Sequence, residues 1–132
     1  MSAKMDDPGA GLMGSLLGGE TKATLRQHVE SDDFGRECGR WAAEFAYETV
    51  WSRPGLDMKT RSAAVIGMLM ALRQTEELKV HIGIALKNGL TVSELEEVLY
   101  LSVPYAGFPA ANSAKQAMKQ ALREIENEES GK

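Results

Sequence analysis

The sequence predicts an all-α protein, a compact bundle of five to six helices. Three observations carry that expectation. Apolar residues recur at spacings of three and four through most of residues 34–127, the period of an amphipathic helix. Helix punctuation divides these stretches: "SRPGL" at 52–56, Asn88-Gly89, the capping box "TVSE" at 91–94, and Pro104 and Pro109 around Gly107. No segment reads as a strand; "LTVSEL" alternates, but its cap signature marks a helix start.

Taken in order, residues 1–20 hold five of the 13 glycines and no sustained period. They are expected to form a flexible arm that orders against a partner subunit. A single domain is expected over 21–127, with 128–132 a solvated acidic tail. Within it a weak helix covers 21–30. "FGRECGRWAAEFAYETVW", 34–51, is the next, capped by Asp32 or Asp33 and turning Trp41, Phe45 and Thr49 to one face. Arg53 precedes Pro54, which biases it out of helical geometry. A helix over 58–73 starts at Asp57; its middle is apolar nearly all round, which predicts burial on most sides. "TEELKVHIGIALK", 75–87, points Leu78, Ile82, Ala85 and Leu86 inward and stops at Asn88-Gly89. The capping box opens a helix with Val92, Leu95, Val98, Leu99 and Ser102 inward, which "VPYAGFPAAN" interrupts. Pro109 begins a last helix that uses Ala114, Met118, Ala121, Leu122 and Ile125.

The 132 residues suffice for a real core without disulfide or metal staples. The net charge of -4 argues against non-specific nucleic-acid binding. It leaves room for an anionic small molecule held by a local pair of arginines. The apolar run "AAVIGMLMAL" at 63–72 is too short to span a bilayer. "GLMGSLLGG", broken by glycine and preceded by Asp6 and Asp7, does not read as a secretory signal. The one cysteine, Cys38, reads as a small helix residue and suits a reducing cytoplasm. Seven methionines and an almost fully apolar central helix suggest more buried surface than one small bundle needs, hence a homo-oligomer.

Three places carry candidate chemistry. Glu77 and His81 lie four residues apart, a spacing at which helical side chains meet. A carboxylate there raises the pKa of the imidazole and orients the ring, so the pair is equipped for general acid catalysis. A plain surface ion pair fits the same spacing, though neighbouring Leu78 and Ile82 imply partial desolvation. A metal would need a third ligand, and His28 is far off in sequence. Arg53, beside Trp51 and Pro54, is placed either to aim a guanidinium at a carboxylate or to cap the preceding helix. Tyr105 belongs either to an anion-holding helix start near Ala110 and Ala111 or to a packed corner.

"VWSRPGL", "TRSAAVIGMLMALRQTEELKVHIGIALKNGLTVSELEEVL" and "YAGFPAANSA" together resemble the carboxymuconolactone decarboxylases, over about residues 40–118. The wider superfamily contains alkylhydroperoxidase-D-like proteins, whose Cys-x-x-Cys pair is replaced here by Gln74 and Glu77. Thiol-based peroxide chemistry at this site is thereby excluded. The resemblance implies an alkylhydroperoxidase-D-like helical fold and a homo-oligomeric ring, a trimer or hexamer, with no cofactor and no metal. It implies cofactor-independent decarboxylation of 4-carboxymuconolactone to 3-oxoadipate enol-lactone, a step of aromatic catabolism in the protocatechuate branch of the β-ketoadipate pathway. On such a substrate the expected roles are His81, steered by Glu77, as proton donor, with the reverse assignment open. Arg53 and Arg61 bind carboxylates, Tyr105 hydrogen-bonds the lactone and Trp51 walls the pocket. Two other readings stay open: a decarboxylase, isomerase or hydrolase of another small keto or lactone acid, and a non-catalytic oligomeric scaffold.

Overall fold

The computed structural model describes residues 32–131, together with Leu12 and Ser15, which are helical. The helix expected over 21–30, His28 and most of the N-terminal arm lie outside the described residues. Between residues 32 and 131 there are five α-helices, one π-helical segment and no strand. They fall into two compact units, divided after Leu56.

In the first unit, α1 spans Glu37–Trp41 and runs on without a break as a π-helical segment, Ala42–Trp51. Its last turn closes with the Ser52 N–H donating to the Tyr47 carbonyl at 3.1 Å, a five-residue step. Ala43, Tyr47 and Trp51 form the buried row, and the Tyr47 and Trp51 rings stack with centroids 6.0 Å apart. Trp41, Phe45 and Thr49 do share a face, as their spacing predicts, and that face is exposed. The buried row keeps the same spacing of four, shifted by two residues, so the spacing marks a face of the helix without saying which face is packed. Asp32 and Asp33 do not cap the helix as expected. Asp32 accepts from the Arg36 guanidinium at 2.7 Å and the Asp33 carbonyl from the Arg36 N–H, which builds the turn ahead of α1.

In the second unit, α2 (Met58–Ala71), α3 (Thr75–Lys87), α4 (Val92–Ala106) and α5 (Phe108–Ser130) form a four-helix arrangement. Both α3 and α4 pack on α2 and on α5, so α3 and α4 occupy opposite corners. Ile66 and Met70 from α2, Leu78 and Ile82 from α3, Leu95 from α4, and Ala114, Met118 and Ala121 from α5 meet in one core. Alanines at the α5 contacts let that long helix approach closely.

The stop signal of α3 and the start signal of α4 hold. Gly89, at φ 101°, ends the α3 turn. Thr91 accepts from the Glu94 N–H while the Glu94 carboxylate accepts from the Thr91 N–H, both at 3.0 Å. That backbone donor, with the Lys59 ammonium 2.9 Å away, holds the Glu94 carboxyl below its usual range. Asp57 stands at the α2 N-cap in extended backbone, but its side chain makes no capping hydrogen bond.

Three expectations fail here. α4 passes through Pro104 to Ala106, so Tyr105 lies in the last helical turn and not in a loop. Proline removes one helical hydrogen bond, and both Pro104 and Tyr100, whose carbonyl is left over, are exposed where water can replace it. The whole connection is Gly107, at φ 96°, and α5 begins at Phe108 with Pro109 second. Val92 is half exposed, and α2 is not buried on most sides: Ala64, Met68, Ala71 and Leu72 are exposed.

Candidate active site

His81 sits in the second turn of α3, between Leu78 and Ile82, which anchor that helix in the core. Packing on both sides leaves the imidazole partly buried, with Nδ1 shielded from solvent. Glu77, one turn earlier, is exposed. Its charge acts on His81, as the spacing of four requires. The net effect runs against the sequence expectation. Desolvation lowers the His81 pKa more than Glu77 raises it, so the imidazole lies below its ordinary 6.5. The carboxylate keeps much of its hydration, and water screens its pull on the ring. The expected desolvation of the pair therefore applies to the histidine and not to the acid.

Arg61 lies in the first turn of α2, partly buried, with Nε shielded from solvent. The next residue, Ser62, is fully buried and accepts a hydrogen bond from the Asn88 amide at 2.9 Å. This tie locks the end of α3 to the start of α2 and so fixes where Arg61 stands relative to the helix of His81. Sequence reasoning missed it: Asn88 was legible as a helix stop, but its side-chain partner lies 26 residues away.

Tyr105 stands apart from that region. It lines an apolar groove of about 450 Å³ between α2 and α4, whose walls include neither Glu77, His81 nor Arg61. Trp51 and Arg53 belong to the first unit. Trp51 is buried against the Tyr47 ring; Arg53 is exposed, and its backbone N–H donates to the Val50 carbonyl at 3.2 Å. Ser52 Oγ, donating to the Glu48 carbonyl, helps close this helix end. Within the second unit, then, the histidine, its acid and an arginine lie on adjoining helices α2 and α3, and the tyrosine lies on the opposite corner. No group of three His, Cys, Asp or Glu side chains placed to hold a metal occurs among the described residues.

The model of the carboxymuconolactone decarboxylase family matches residues 36–120. Over 94 residues the chain is 36% identical to the 4-carboxymuconolactone decarboxylase of Acinetobacter baylyi, covering 71% of this chain and 70% of that one. Over 123 residues it is 29% identical to the nitrosuccinic acid decarboxylase of Metarhizium robertsii, covering 92% of this chain and 84% of that one. The chain belongs to the carboxymuconolactone decarboxylase family. Both relatives are decarboxylases by name.

Proposed function

We propose that this protein is a carboxy-lyase acting on a small dicarboxylic acid that contains its own electron sink, with 4-carboxymuconolactone as the preferred substrate. Family membership carries the reading, and the partly buried His81 beside Glu77 supports it. The two substrates named for the relatives share a chemical plan. Each has two carboxylates, one of them on a carbon whose electrons can flow into an acceptor, the conjugated lactone carbonyl or the nitro group. Such a substrate supplies the electron sink that a decarboxylation otherwise takes from a cofactor.

On the lactone, the bond from the ring carbon to the departing carboxylate breaks. Its electron pair moves through the ring double bond to the carbonyl oxygen, and carbon dioxide leaves. A proton is then placed on the ring carbon next to that carbonyl, which returns the electrons and gives the enol-lactone. His81 is the proton donor in this reading. Burial keeps the free imidazole neutral, but an arriving dianion adds negative charge that favours the imidazolium, in the same sense as Glu77. Substrate binding thus loads the acid that the reaction uses. Arg61 is the carboxylate partner nearest in sequence to the α2–α3 tie, and a guanidinium fits a carboxylate in bidentate fashion. The roles of Arg53 and Trp51 in holding the second carboxylate and excluding water, and of Tyr105 on the lactone, rest on the resemblance.

Nitrosuccinate is the second reading, favoured by the longer span over which that relative aligns. Incubation with each compound, following carbon dioxide release and the ultraviolet loss of the conjugated lactone, tests both. Turnover of the lactone is expected. Release from nitrosuccinate alone would reassign the substrate, and release from neither would overturn the proposal.

A further inference from the structure

Ser62 and Asn88 are polar residues whose identities the fold does not otherwise require. Ser62 is the polar member of the buried row of α2, beside Ile66 and Met70, and is 1% exposed. Alanine would bury as well there and favours a helix more. Asn88 closes α3 with φ -84° and ψ 5°. The left-handed conformation that asparagine tolerates is therefore not used at this position; Gly89 supplies it. The Asn88 backbone N–H donates to the Ile84 carbonyl, as that of any residue but proline would. What asparagine adds is its amide, which donates to Ser62 Oγ at 2.9 Å.

This bond does what the apolar contacts cannot. Ile66 and Met70 of α2 meet Leu78, Ile82 and Ala85 of α3 in the core, and such contacts are non-directional. They hold two helices together without fixing how far each is turned about its axis. A hydrogen bond has a direction. Side chains end about 5–6 Å from a helix axis, so a turn of about 20° carries a tip roughly 2 Å. A misplacement of about 1 Å can cost as much as a hundredfold at a working site. Arg61 precedes Ser62 in α2, with Nε shielded from solvent, and takes its setting from the bond. The ion pair of Lys59 with Glu94, 2.9 Å, ties the same turn to α4, but both partners are exposed and such a pair holds weakly.

We infer that Ser62 and Asn88 are positioning residues for substrate affinity, acting through the Arg61 guanidinium. The inference rests on the reading of Arg61 as a carboxylate partner. Either polar group survives loss of the other. The Ser62 hydroxyl can turn to the carbonyl four residues earlier, and the half-buried Asn88 amide can reach water. Two readouts test the inference on the full chain, for Ser62→Ala, Asn88→Ala, the double variant and Asn88→Asp. One is the NMR signal of the Arg61 Nε–H, identified by its loss in Arg61→Lys, and its exchange with solvent. The other is the steady-state kinetics on whichever of the two candidate acids the wild type consumes. Both alanine variants should speed that exchange and raise KM roughly tenfold, with kcat within about threefold. The double variant should be no worse than either. Asn88→Asp places a charge at a helix C-terminus and should lower the urea midpoint. It can still accept from Ser62, so the arginine signal and KM should stay near wild type. An unmoved Arg61 signal or an unchanged KM in Asn88→Ala would overturn the inference. So would a KM that rises in Asn88→Asp in step with lost stability, since that is what a purely structural tie predicts. A wild type that consumes neither acid would remove the substrate reading alone, and the Arg61 signal would then decide the positioning.

Discussion

At the scale of single residues, His81 and Glu77 divide a task by their surroundings. One is wrapped by helix packing and held toward neutrality; the other stays in water and lends its charge from one turn away. His81→Gln keeps a polar side chain of similar size and should lower turnover by roughly a hundredfold or more, with thermal unfolding little changed. A near-normal rate would remove His81 from the chemistry. The same burial makes a stability prediction. Because the folded-state pKa lies below 6.5, the unfolded chain binds the proton more readily. The contribution of His81 is therefore complete above that value and is lost as pH falls through it towards the lower folded value. Urea unfolding from pH 7.5 to 5.5 should show wild-type stability declining more steeply than that of His81→Gln. The candidate acid–base pair was legible from a spacing of four. The inequality between its members was not, because it depends on which side of α3 the neighbouring helices cover.

Among the elements, boundaries were legible where a side chain itself makes the boundary. Thr91 and Glu94 cap α4 as written, and Gly89 turns the chain out of α3. Thr91→Ala should destabilise the fold by about 1 kcal/mol, read as a lower urea midpoint with an unchanged slope, and Thr91→Ser should restore most of it. Proline was the misleading signal. Pro104 reads as an interruption, yet it stands at an exposed position near a helix end, where solvent can replace the missing hydrogen bond. The π-helical segment was not legible at all. Trp41, Phe45 and Thr49 share their spacing of four with the buried row Ala43, Tyr47 and Trp51, so spacing alone does not tell the packed side of this helix from the side in water.

For the molecule as a whole, the all-helical fold was legible because periodicity and punctuation agreed along most of the chain. The second unit rests on one core in which every helix takes part. Ile66 is fully buried at its centre, so Ile66→Ala should destabilise the protein by about 2–5 kcal/mol, through lost burial and the cavity left behind. A change below 1 kcal/mol by denaturant unfolding would show that the core collapses around the gap. What the apolar α2 forecast as burial appears instead as an open face on a single chain. Hydrophobicity reports that a surface should leave water; it does not say which molecule will cover it.

The connection between α4 and α5 is one residue long, and at its φ of 96° and ψ of 157° the backbone of Gly107 has an angular combination that a side chain obstructs. No slack is available to share the strain with a neighbour. In a library carrying all twenty amino acids at this codon, survivors of a folding selection should encode glycine almost alone. An inserted codon beside it should swing the 23 residues of α5 out of register and dismantle the bundle with them.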